Sequence, residues 1–132
     1  MKILIIEDEY LIAEGVSLTL QSAGHEVTGV AEDLPSALAL ARQHPPDMAF
    51  VDIKLANGSN GLDVARELKA LGIACVFATG NPPNKAQAGG VGLGYIAKPF
   101  SPRVLVQTAA FVGSLLATGA AAAAVPHGFV TL

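Results

Sequence analysis

At 132 residues the chain has the length of one ordinary domain, with room for one substantial core. A composition that is 52% hydrophobic and 14% charged excludes a disordered chain, and a net charge of −3 gives nucleic acid no electrostatic reason to bind. The single cysteine, Cys75, excludes a disulfide framework and suits a reducing cytoplasm, which is the expected location.

The chain opens on Ile3-Leu4-Ile5-Ile6, consecutive apolar β-formers of the kind found in a strand buried on both faces. No basic region or cleavage site leads into it, so it is not read as a signal peptide. A helical segment follows with Ile12, Val16 and Leu20 on one face, then a shorter, alternating strand around Glu26 to Ala31. Pro35 stands near the start of a second helix carrying Leu34, Leu38 and Ala41, and Pro45-Pro46 lie beyond its end.

Met48-Ala49-Phe50-Val51 repeats the buried-strand pattern. Gly61 to Leu71 reads as a third helix with Val64, Leu68 and Leu71 on one stripe, and Ala74 to Ala78 as a fourth strand around Cys75. From Asn81 to Gly94 the prolines and glycines leave room for no more than a short turn of helix at Asn84 to Ala88. Tyr95-Ile96-Ala97 reads as a fifth strand, and a last helix opens at Ser101-Pro102.

The last helix runs into Val104 to Val125, an uncharged stretch of transmembrane length. Its Ala and Gly content, with Gln107, Thr108, Ser114 and Thr118 interspersed, makes a poor lipid-facing surface, so no membrane span is expected. Two apolar stripes, Val104, Phe111, Leu115 and Leu105, Val112, Leu116, leave more apolar surface than one sheet face needs. That surplus marks either a buried helix followed by a frayed Ala-rich end, or an interface for a homodimer or a partner.

Strand and helix alternate about five times, which argues for an open α/β sheet with helices on both faces. Ligands of such sheets bind beyond the carboxyl ends of the strands. Glu7 and Asp8 stand there after the first strand, Asp52 after the third, Thr79 after the fourth and Lys98 after the fifth. Singly each is an ordinary cap or loop residue; together they make a site of three carboxylates, a hydroxyl and an ammonium.

Close carboxylates repel unless a cation neutralises them, and an oxygen-rich, solvent-open site suits Mg²⁺. Phosphoryl transfer needs positioning and charge stabilisation above all. Asp52 can serve as the in-line nucleophile, with Mg²⁺ and Lys98 stabilising charge and the Thr79 hydroxyl donating a hydrogen bond.

ILIIEDE (3–9), FVDIKL (50–55), FATG (77–80) and YIAKPF (95–100) together resemble the bacterial response-regulator receiver domains, also called CheY-like, over residues 2–117. The resemblance implies a flavodoxin-like (βα)5 doubly wound parallel sheet of order 2-1-3-4-5 with a short or irregular fourth helix. The domain is expected at residues 1–120, with an Ala-rich C-terminal tail at 121–132. It also implies Mg²⁺ held by Glu7, Asp8, Asp52 and the backbone carbonyl of Lys54, with Asp52 as phosphoacceptor, Thr79 and Tyr95 as a switch pair and Lys98 as the phosphate-sensing base. The Lys98-Pro99 bond is expected to be cis. FATG and the glycine-rich stretch after it resemble a receiver subfamily named for that motif, although Asn81-Pro82 departs from its continuation.

The implied role is that of a stand-alone, single-domain response regulator of a two-component phosphorelay. A histidine kinase or phosphotransfer protein would supply the phosphoryl group, and a downstream target protein would read the changed surface of the fourth helix, fifth strand and fifth helix. Lys54 and Asn81, two residues beyond Asp52 and Thr79, are expected to tune the lifetime of the acyl phosphate. The alternative is a pseudo-receiver that binds protein without phosphorylation. A dinucleotide loop is rejected because Gly90, Gly92 and Gly94 precede a strand. An aspartyl phosphatase of the haloacid dehalogenase type is disfavoured because position 54 is lysine where that pattern has a second aspartate.

Overall fold

The structure, a computed structural model, describes residues 1–119 and 124–132. Six strands form one sheet: β1 (Lys2–Ile6), β2 (Glu26–Ala31), β3 (Met48–Val51), β4 (Ala74–Thr79), β5 (Gly94–Ala97) and β6 (Phe129–Thr131), in the order β2-β1-β3-β4-β5-β6. The first five pair in parallel, giving the flavodoxin-like 2-1-3-4-5 arrangement, and β6 adds to β5 antiparallel. Helices α1 (Tyr10–Ser22), α2 (Leu34–Gln43), α3 (Gly61–Ala70), α4 (Lys85–Ala88) and α5 (Pro102–Thr118) connect the strands.

The unbroken apolar runs are explained by a core on each face. Successive strand residues point to opposite faces, so Ile3 and Ile5 enter a cluster with Leu20 of α1 and Leu105 and Val112 of α5, while Leu4 and Ile6 enter another with Val64 and Leu68 of α3. Ends of helices follow local chemistry. Asp33 accepts the Ser36 amide in a capping box ahead of α2, Asn60 accepts the Leu62 amide ahead of α3, and Ser101 accepts the Val104 amide ahead of α5. The fourth helix is one turn, as its composition implied, and the Lys98-Pro99 bond is cis.

Two features differ from the sequence reading. Leu71 is not on the buried stripe of α3: it lies past the last helical residue, where Gly72 at φ 81° turns the chain, and it is 46% exposed. The C-terminal segment also forms β6, whose Phe129 ring sits 5.5 Å from that of Phe111 and covers part of the apolar surplus on α5. The Ala-rich stretch at 120–123, where a frayed end was expected, lies outside the described residues. No helix among the described residues is long and apolar enough to cross a membrane.

Candidate functional site

Pairing in the sheet brings the polar residues together. Glu7 and Asp52 leave β1 and β3 at the same level, because Ile6 pairs with Val51 and the Asp52 amide donates to the Ile6 carbonyl at 2.9 Å. One strand further, Thr79 closes β4, and its carbonyl accepts the Lys98 amide at 3.0 Å, which fixes Lys98 just beyond β5.

Burial then forces the side chains to find each other. The Glu7 and Asp52 side chains are only 5% and 8% exposed. The Lys98 Nζ bridges them, donating to Glu7 Oε1 and, at 2.7 Å, to Asp52 Oδ2. Glu9 Oε1 stands 4.0 Å from the same ammonium. An ion pair in a poorly screened setting must be well matched to offset its desolvation, and this ammonium serves two carboxylates at once.

The electrostatics register that crowding. Burial pushes Glu7 up to about 7; the Lys98 hydrogen bond opposes the rise and the charge of Asp52 adds to it. For Lys98, burial disfavours the charged form, but the hydrogen bonds and charges of Asp52 and Glu7 outweigh it and hold the amine above its ordinary value.

Asp8 is exposed, and carboxylate oxygens of Glu7, Asp8 and Asp52 lie within 4.8 Å of one another. Hard oxygen donors at that spacing suit a small divalent cation, and the ammonium drawn between two of the acids already offsets part of their negative charge. Lys54 is exposed and joined by an isolated antiparallel bridge to Asn60. Thr79 is fully buried, and its Oγ1 accepts the Asn81 amide at 3.1 Å. Tyr95, half-buried, pairs with Phe77 and so shares a sheet face with Thr79, two positions lower on the neighbouring strand.

Gly61 is a residue to which the sequence reading assigned no role. A Cβ there would overlap the Asp52 carbonyl oxygen, and its amide donates to Ile53 at 2.7 Å. The loop after β3 therefore packs against the backbone of the central acid. The only local signal was a glycine opening a helix, which is too common to interpret.

An open, doubly wound sheet with an acid-and-lysine rim at its carboxyl edge defines a signalling module of the CheY-like class. The chain belongs to the response regulator receiver domain family, whose profile matches residues 3–110. The family works in two-component signalling, and its members bind Mg²⁺ at an acidic pocket of the kind that Glu7, Asp8 and Asp52 make.

Among curated relatives, the chain is 38% identical over 104 residues to the phyllosphere-induced regulator PhyR of Methylorubrum extorquens, covering 76% of this chain and 39% of that protein. It is 39% identical over 111 residues to the phosphate regulon transcriptional regulatory protein PhoB of Pseudomonas aeruginosa, covering 79% and 48%. The chain thus spans less than half the length of either. The signal receiver domain of a modulated diguanylate cyclase from Desulfovibrio desulfuricans G20 superposes with a TM-score of 0.81 at 28% identity, over 90% of this chain and 98% of that one. A CheY-like receiver domain protein from Methanospirillum hungatei JF-1 shares the fold, with a TM-score of 0.82 at 24% identity over 90% and 98%.

Proposed function

We propose that Asp52 accepts a phosphoryl group from a phosphohistidine of a histidine kinase or phosphotransfer protein. A carboxylate oxygen of Asp52 forms the new P–O bond, the P–N bond breaks, and the departing imidazole takes up a proton. The observation that carries this reading is the Lys98 ammonium bridging two nearly buried acids, Glu7 and Asp52, with the Asp8 carboxylate beside them.

Each residue has a task that its surroundings support. Glu7, Asp8 and Asp52, with the Lys54 carbonyl, would hold Mg²⁺, which supplies charge neutralisation for the phosphoryl oxygens. Lys98 keeps its proton, so its ammonium can leave the carboxylate for a phosphoryl oxygen. Thr79 Oγ1 already accepts the Asn81 amide, so its O–H remains to donate inward. Movement of Thr79 opens space for Tyr95, and a downstream protein reads the altered face. Lys54 and Asn81 flank the path of a hydrolysing water and set the lifetime of the acyl phosphate.

The test is incubation with Mg²⁺ and a small phosphodonor, followed by intact-mass measurement of wild type and Asp52→Asn. Wild type gains one phosphoryl group that is lost on mild alkaline treatment, and Asp52→Asn gains none. Equal labelling of the two, or none of wild type, overturns the assignment and favours a protein-binding module without phosphorylation.

A further inference from the structure

The flank of the sheet beyond β5 is closed by a segment from the far end of the chain. In β6, Phe129, Val130 and Thr131 stand opposite Ile96, Tyr95 and Gly94, and the Leu132 amide donates to the Leu93 carbonyl at 3.2 Å. Phe129 is the one buried residue of this strand; Val130 and Thr131 are exposed. The segment is a short edge strand, held by its ladder, by the Phe129 ring on one face and by the partly buried Leu132 on the other.

The surface beneath it is shaped for that guest. A Cβ on Gly94 would overlap the Phe129 ring and the Val130 carbonyl oxygen, and its three nearest obstacles all belong to β6. Gly128, at φ +89°, brings the chain against Val104 of α5. Phe129 then enters the cluster of Ile96, Leu105, Val112 and the flanking Phe111. With α4 reduced to one turn, the outer edge of β5 is met by this extended segment, and Val130 lies across from Tyr95.

We propose that residues 128–132 are a detachable strap, and that the β5 edge beneath them is the docking site for an extended segment of a partner protein that places an aromatic side chain opposite Ile96. Strand addition at an open sheet edge takes its affinity from backbone hydrogen bonds and its selectivity from alternate side chains. Here the strap itself displays the required ligand: an antiparallel strand, an aromatic facing α5, and a carbonyl that fits over a glycine. The proposal needs no phosphoryl group, so its failure would leave the assignment of Asp52 untouched.

The probe is a fluorescent peptide of residues 125–132, titrated by anisotropy into three full-length proteins. Phe129→Ala loosens the strap and leaves the site intact, so it binds the peptide at least tenfold more tightly than wild type, whose own strand competes. Gly94→Ala loosens the strap and blocks the site, so it does not bind. Binding to Phe129→Ala no tighter than to wild type, or equal binding to Gly94→Ala and Phe129→Ala, overturns the proposal. Hydrogen exchange on wild type gives a second reading: the Leu132 amide exchanges at least tenfold faster than the amides of β4. Equal protection would make β6 an integral strand and overturn the proposal on its own.

Discussion

The rim at the carboxyl ends of β1 and β3 and the flank where β6 meets β5 are held by different forces. At the rim, charges sit where water screens them poorly, so Glu7, Asp52 and Lys98 fix one another's positions. At the flank, a short ladder, the ring of Phe129 and the partly buried Leu132 secure the segment. A rim residue cannot move without unpairing a charge, whereas the strap can leave by exposing Phe129 and the partly buried Leu132. The proposed chemistry thus falls where charges constrain the fold, and the proposed docking site where a short edge strand closes it.

The largest effect expected from breaking this contrast comes from Lys98→Met, which leaves two nearly buried carboxylates without their shared ammonium. In the presence of a chelator, stability should fall by about 2–4 kcal/mol, read from the urea midpoint. Saturating Mg²⁺ should restore part of the loss, because a second cation can take the place of the first. An unchanged midpoint would mean that the bridge carries little of the rim's order.

Next in size is one substitution made at two glycines. Gly61→Ala pushes against the β3 backbone at Asp52, which cannot yield without disturbing the sheet. A loss of about 3 kcal/mol is expected, together with slower phosphorylation of Asp52. Gly94→Ala meets β6 at its three nearest atoms, so its cost should follow the loss of the Phe129 packing, about 2 kcal/mol, and phosphorylation proceeds at the wild-type rate. Similar phosphorylation defects in both variants would erase the distinction between the two regions.

A smaller effect lies in α5, which serves the flank on one side and the core on the other. Thr108 is fully buried with its hydroxyl unpartnered among the described residues. Thr108→Val keeps the shape and removes an unsatisfied polar group, so thermal unfolding should shift upward by about 1 kcal/mol of added stability. A downward shift would mean that the hydroxyl is satisfied in solution, and that α5 packs differently under the strap.

These contrasts also explain what could be read from the chain. β1, β3 and β4 were legible because a strand buried on both faces must be an unbroken apolar run, and Glu7, Asp8, Asp52, Thr79 and Lys98 were legible because topology alone puts strand ends at one rim. Leu71 misled because helical spacing continues past the point where Gly72 reverses the chain. Gly61 was opaque because its reason is a carbonyl nine positions earlier, and β6 because Phe129-Val130-Thr131, although all three residue types favour strands, is too short a run to mark one. Its partner is an edge that exists only once β5 has formed, and the apolar stripe of Val104 and Phe111, which left a buried helix and an interface as alternatives, is partly met by residues 128 and 129 of the chain itself.

The smallest effect tests the rigid centre directly. Cys75 lies in β4 between β3 and β5, and burial pushes its thiol from 9.0 up to about 12. Between those values the folded protein retains a proton that the unfolded chain has released. The thiol's contribution to stability is therefore complete below pH 9 and declines as pH rises toward 12. At neutral to mildly alkaline pH, iodoacetamide should modify Cys75 only through global unfolding, at a rate that tracks urea concentration, while amides of β6 exchange freely under the same conditions. Alkylation of the native thiol as fast as that of the urea-unfolded chain would show that β4 opens as readily as the strap, and the division between a fixed centre and a releasable edge would fail.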